Sequence, residues 1–140
     1  MRISIALSLF FACLFAFAAK LKNVDDFYKE STAYLNDAAK ETEFAQKKSV
    51  LKKFEASFNS TLDQYKKQNP KQGPSEEQEV AVLYYTLDPV WKIAKLSKLS
   101  EKDCIQSREE IESADRIGRK GDDLTKPASE AIKWLNTLCK

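Results

Sequence analysis

From Lys20 to Asn69 the chain contains neither proline nor glycine. Its apolar residues recur at the 3.6-residue period of a helix, not the two-residue period of a strand. Asn23, just before Val24-Asp25-Asp26, reads as an N-cap followed by acids that suit the positive end of a helix dipole. Phe27, Tyr34, Ala38 and Ala45 fall on one helical line. Phe44, Leu51, Phe54, Phe58, Leu62 and Tyr65 form a second line, more than a quarter-turn away. One straight helix cannot bury both. The pattern therefore predicts two helices, or one strongly bent helix, changing direction between Lys40 and Glu43.

Gln68-Asn69-Pro70-Lys71-Gln72-Gly73-Pro74 is a loop by composition. Ser75-Glu76-Glu77-Gln78 has the form of a capping box, opening a helix that carries Val80, Ala81, Leu83, Tyr84 and Leu87. Asp88-Pro89 predicts a kink or restart, after which Val90, Ile93, Ala94 and Leu96 continue the core face with Trp91 beside it. Ser100-Glu101-Lys102-Asp103 is a second capping box. It opens a polar helix with one apolar stripe (Cys104, Ile105, Ile111, Ala114 and Ile117) that Gly118 ends as a C-cap. A last helix from Pro127 to Leu138 turns Ala128, Ala131, Ile132, Leu135 and Leu138 inward. The expected fold is all-α, a single-domain antiparallel bundle of five to six helices with one disulfide.

Residues 1–18, MRISIALSLFFACLFAFA, follow a different logic. Arg2 is a short basic region, Ile3 to Phe17 an apolar one, and Ala16-Phe17-Ala18 a small-x-small cleavage site. The run is short for a bilayer, and Lys20 and Lys22 follow it. The expectation is a cleaved signal peptide at 1–18, a helical secreted domain at 19–140, an extracellular address and no membrane span. The leader would carry away Cys13 and leave Cys104 and Cys139, an even pair that in an oxidising compartment forms one disulfide. Closing that loop contributes roughly 3–4 kcal/mol by chain entropy.

Charge narrows the partners. The chain has 23 basic and 21 acidic residues, and loss of Arg2 leaves a mature net charge of +1. Such a balance gives no field for nucleic acid. Histidine is absent, which removes Ser–His–Asp and Cys–His nucleophiles and the commonest metal ligand. With both mature cysteines bonded, no thiolate is left for catalysis. The sequence thus points to no cofactor and no enzyme.

Four constellations remain. Lys120-Gly121-Asp122 lies in the turn 118–123 and resembles the KGD variant of the adhesion tripeptide of integrin antagonists. There a carboxylate completes a metal site and a cation reaches an acidic pocket; the same residues also suit a plain glycine turn before a helix. Lys48, Lys52 and Lys66 project from one helical face, suited to a sulfated glycan or anionic lipid, or to simple solvation. Asn59-Ser60-Thr61 is an N-glycosylation sequon. Removing the leader leaves eleven aromatic residues, spaced as core, some of which could line a pocket for an apolar ligand.

A signal peptide, a short helical mature chain, few cysteines and a penultimate Cys139 together resemble the small salivary proteins of blood-feeding insects. That resemblance implies action on a host's haemostatic or immune components. The expected function is a secreted interaction protein for an extracellular protein or cell-surface receptor; the alternative is a carrier of small hydrophobic ligands.

Overall fold

The computed structural model describes residues 20–32 and 43–139. The leader expected at 1–18, Tyr34 and Ala38, and most of the direction change expected between Lys40 and Glu43 lie outside these residues. The described residues form five helices and no strand: α1 (Val24–Ser31), α2 (Phe44–Gln68), α3 (Pro74–Lys95), α4 (Glu101–Gly118) and α5 (Lys126–Leu138). The chain is all-α.

α3 is the hub, packing against each of the other four helices. Its buried face, including Leu83, Leu87, Val90, Trp91 and Ala94, meets Leu51, Phe54 and Phe58 of α2. Trp91 stands 5.0 Å from the Phe58 ring and 5.2 Å from Phe54, centroid to centroid. Phe27 of α1 closes the cluster, 5.0 Å from Phe58 and 5.5 Å from Tyr65. Edge-on and stacked pairs of this kind add to the stabilisation from burial alone. Backbone bonds fasten the entry to α1: Leu21 N–H donates to Gln68 Oε1 at 2.8 Å, and Asn69 Nδ2 donates to the Leu21 carbonyl at 2.9 Å.

Caps explain most boundaries. Asn23 accepts from the Asp26 N–H as its sequence position predicts. Ser100 and Asp103 form the complete reciprocal box. Ser75 does not cap α3. The helix begins two residues earlier than such a cap implies, at Pro74, with Gly73 as N-cap and no side-chain bond. Proline's fixed φ already suits the first helical position, and Ser75 is thereby drawn inside.

Three further expectations are corrected. α3 runs unbroken through Pro89, so of the kink or restart expected at Asp88-Pro89 the restart does not occur. The proline ring removes the bond that Tyr85 would have received, but Pro89 sits in a buried stretch from Leu87 to Trp91 whose packing outweighs that loss. Ala45, Phe44 and Leu96 are exposed although the periodic lines placed them inward. α2 has no buried residue before Leu51, and Leu96 stands one residue past the end of α3. Ile105 and Ile117 are 54% and 67% exposed. α4 buries Ser107, Ile111, Ala114 and Asp115 instead, and six residues from Ile111 carry each isoleucine about 120° round the helix.

α5 presents Ala128, Ala131, Ile132, Leu135 and Leu138 to the core as its spacing predicts. It begins at Lys126, one residue before Pro127. Cys104 and Cys139 are bonded, with Cα atoms 6.0 Å apart, so the start of α4 is tied to the end of α5. No helix among the described residues is long and apolar enough to cross a membrane.

Candidate functional site

The disulfide closes one end of the α4–α5 hairpin; the loop 119–125 forms the other end. Lys120, Gly121 and Asp122 are all exposed in that loop. Its two ends are fixed from beneath by one side chain, Asp115, whose carboxyl group is fully buried. Asp115 Oδ1 accepts from the Thr125 hydroxyl, and from the Thr125 N–H at 3.3 Å. On the near side Arg119 Nη1 lies 3.9 Å from Asp115 Oδ2 and donates to the Asp122 carbonyl at 3.0 Å. The tripeptide is therefore held at Arg119 and Thr125 while its own side chains stay free of the core.

The glycines of this region do different work. Gly118 is the last residue of α4, and no described glycine has positive φ, so it is not the left-handed C-cap that the sequence suggests. A Cβ there would meet Val82 Cγ1 at 2.7 Å; glycine is present because α3 and α4 cross closely. Gly121 is the reverse case. Nothing lies within 4 Å of its added Cβ, and its φ is not positive, so the fold itself places no demand for glycine there.

The lysine face is less uniform than its spacing suggests. Lys48 donates to the Leu96 carbonyl, closing the C-terminus of α3, and stands 5.4 Å above the Phe44 ring. Lys52 and Lys66 remain exposed. The 18 positions from Lys48 to Lys66 span about 27 Å of helix. Glu55 interrupts the series and pairs with Lys95 at 2.6 Å. Asn59 is exposed in the middle of α2, whereas Thr61 of the same sequon is buried at 6% exposure. The whole sequon is open to a modifying enzyme only before α2 packs.

An apolar cleft of about 270 Å³ opens beside the loop, lined by Val24, Tyr28, Val82, Leu83, Gly118 and Pro127 among others. Tyr28 at its edge donates to Glu130 of α5, joining the first and last helices. Burial, then that bond and the Glu130 charge, push the Tyr28 phenol well above its ordinary value. A second, more polar cleft of about 480 Å³ lies between α2 and α3, with Lys66, Tyr84 and Tyr85 on its walls.

Periodicity finds neither Asp115 nor the 270 Å³ cleft. An aspartate on a polar helix looks solvated, and its partner Thr125 lies ten residues away across a loop. Comparison with protein-family models, curated proteins and solved structures gave no match.

Proposed function

We propose that this chain is a secreted, non-enzymatic interaction protein that binds an extracellular host protein or cell-surface receptor and so modulates haemostatic or immune responses. The observation that carries this reading is the exposure of Lys120, Gly121 and Asp122 on a loop anchored at both ends. Loops held by a rigid scaffold are where recognition concentrates. An anchored loop also loses less entropy on binding than a free one. The leader-like residues 1–18 and the bonded Cys104–Cys139 pair suit an oxidising, extracellular setting. The absence of histidine, with both mature cysteines in that bond, favours recognition over turnover.

Lys120 and Asp122 present opposite charges about a glycine, the pairing that suits an integrin head: the carboxylate toward a metal ion, the ammonium toward an acidic pocket. Asp122→Ala is expected to abolish attachment of integrin-bearing blood cells to the immobilised protein while leaving helical circular dichroism unchanged. Attachment at the wild-type level would reduce the tripeptide to a turn.

The apolar cleft beside α1 supports a second reading, a carrier of small hydrophobic ligands. Native mass spectrometry of the secreted protein would then show a bound apolar molecule, and a bare chain that takes up nothing from a hydrophobic library would dismiss it. The loop leads because the cleft is open and small for a carrier.

A further inference from the structure

We propose that Asp115 is the positioning residue of the recognition loop, holding the Lys120–Gly121–Asp122 edge in one preformed conformation for its partner; this rests on the reading of that loop as the binding surface. A fully buried carboxylate is costly to desolvate and persists where its lone pairs are engaged. Here the engagement is confined to the loop ends. Asp115 Oδ1 takes both the hydroxyl and the N–H of Thr125, and Oδ2 faces the Arg119 guanidinium at 3.9 Å. Oδ2 has no hydrogen bond among the described residues, so Arg119 is the charge that faces it there.

Arg119 then carries the constraint into the loop by donating to the Asp122 carbonyl, which closes a ring of backbone around Lys120 and Gly121. The Thr125 hydroxyl is the second sign of this arrangement. Threonine at an N-cap ordinarily accepts a bond from its own helix, yet α5 has no side-chain cap. The hydroxyl is turned to Asp115 instead. The near and far ends of the loop thus meet at one carboxylate, and the exposed edge between them is ordered before any partner arrives. Preorganisation of this kind improves affinity by removing the entropy loss of ordering, without adding a contact.

The test compares Asp115→Ala, Thr125→Val and Thr125→Ser in the full secreted protein. Amide hydrogen exchange at residue 125, read by NMR, reports the clasp; attachment of integrin-bearing blood cells reports its consequence. Asp115→Ala, which removes the acceptor of that N–H, is expected to exchange about tenfold faster at that amide, as loss of a charge-assisted bond implies, and Thr125→Val, which removes the hydroxyl that steadies the same acceptor, is expected to exchange faster than wild type. Both are expected to weaken attachment with helicity intact, while Thr125→Ser, which keeps the hydroxyl, retains exchange rate and attachment. If Asp115→Ala fails to fold, the valine–serine pair carries the comparison. Unchanged exchange and attachment in Thr125→Val, or a serine variant as impaired as the valine one, would overturn the proposal. Asp122→Ala separates the two ideas. If it leaves attachment intact, the binding reading fails, and the exchange rates still decide whether Asp115 orders the loop.

Discussion

A methyl group added at Gly118 would sit 2.7 Å from Cγ1 of Val82, inside any real carbon–carbon contact. Alanine has the better helix propensity, but by at most about 1 kcal/mol, and less in a final turn. Overpacking costs about 1–3 kcal/mol, and a β-branched valine on a helix has few rotamers with which to yield. Gly118→Ala is therefore expected to lower stability by about 1 kcal/mol in urea unfolding, whereas Gly121→Ala should change it by less than about 0.5 kcal/mol. Equal stability of Gly118→Ala and wild type would mean that α3 and α4 part without cost. The sequence suggests a C-cap at Gly118 because glycine follows the last apolar residue of a periodic run. Close approach of a second helix leaves no such trace, since Val82 lies 36 positions away. Asp115 escapes for the same reason. Lys120, Gly121 and Asp122 are legible as an exposed turn; the side chain beneath them is not.

Among the elements, α4 and α5 depend most on a covalent tie. α4 is polar, with only Ser107, Ile111, Ala114 and Asp115 buried, so its hydrophobic attachment is thin. The Cys104–Cys139 bond closes a 35-residue separation, worth about 4 kcal/mol in the chain-entropy model. Replacing both cysteines by serine is expected to remove about 2–4 kcal/mol, read as a lower urea midpoint and a lower Tm. An unchanged midpoint would place the stability of the hairpin wholly in its packing. This pairing was legible from cysteine count once residues 1–18 are read as a leader, and the helices were legible from periodicity. What misled were short-range signals in competition. Ser75 and Ser100 both head plausible capping boxes, but only Ser75 follows a proline, which claims the first helical position. Pro89 carries a strong local signal to stop, and the buried run from Leu87 to Trp91 overrides it. Periodic lines likewise assign every apolar residue inward, while α4 turns Ile105 and Ile117 to solvent because each stands about 120° round the helix from the buried Ile111.

For the whole molecule, ionisation yields an asymmetric dependence of stability on pH. With no histidine in the chain, no side chain of ordinary pKa titrates between about pH 5 and 8, and stability should be level there. On the acid side, hydrogen bonds from Ser100 hold the Asp103 carboxyl below its ordinary 3.8. Its contribution is present above that value and lost as pH falls below it; because the group is exposed, this limb is shallow. The alkaline side is different. Burial foremost, then Glu130, raises the Tyr28 phenol above 10.0, and burial foremost, then Glu76, raises that of Tyr65. A raised folded pKa gives stability that is whole below the unfolded value and declines once pH exceeds it. Lys92, raised chiefly by its bond to Asp88, acts in the same direction, but its exposed side chain is screened. Above pH 10 each tyrosine can remove up to about 1.4 kcal/mol per pH unit, since the unfolded chain releases the proton and the folded one keeps it. Urea midpoints measured from pH 7 to 11 should therefore stay level to about 9.5 and then fall. Tyr28→Phe, which lacks the proton, should make that fall shallower even though it also removes the α1–α5 bond and lowers the plateau. The two effects separate cleanly, because one changes the height of the curve and the other its slope. A Tyr28→Phe curve that falls as steeply as wild type above pH 10 would show that the phenol of Tyr28 ionises in the folded protein as readily as in the unfolded chain.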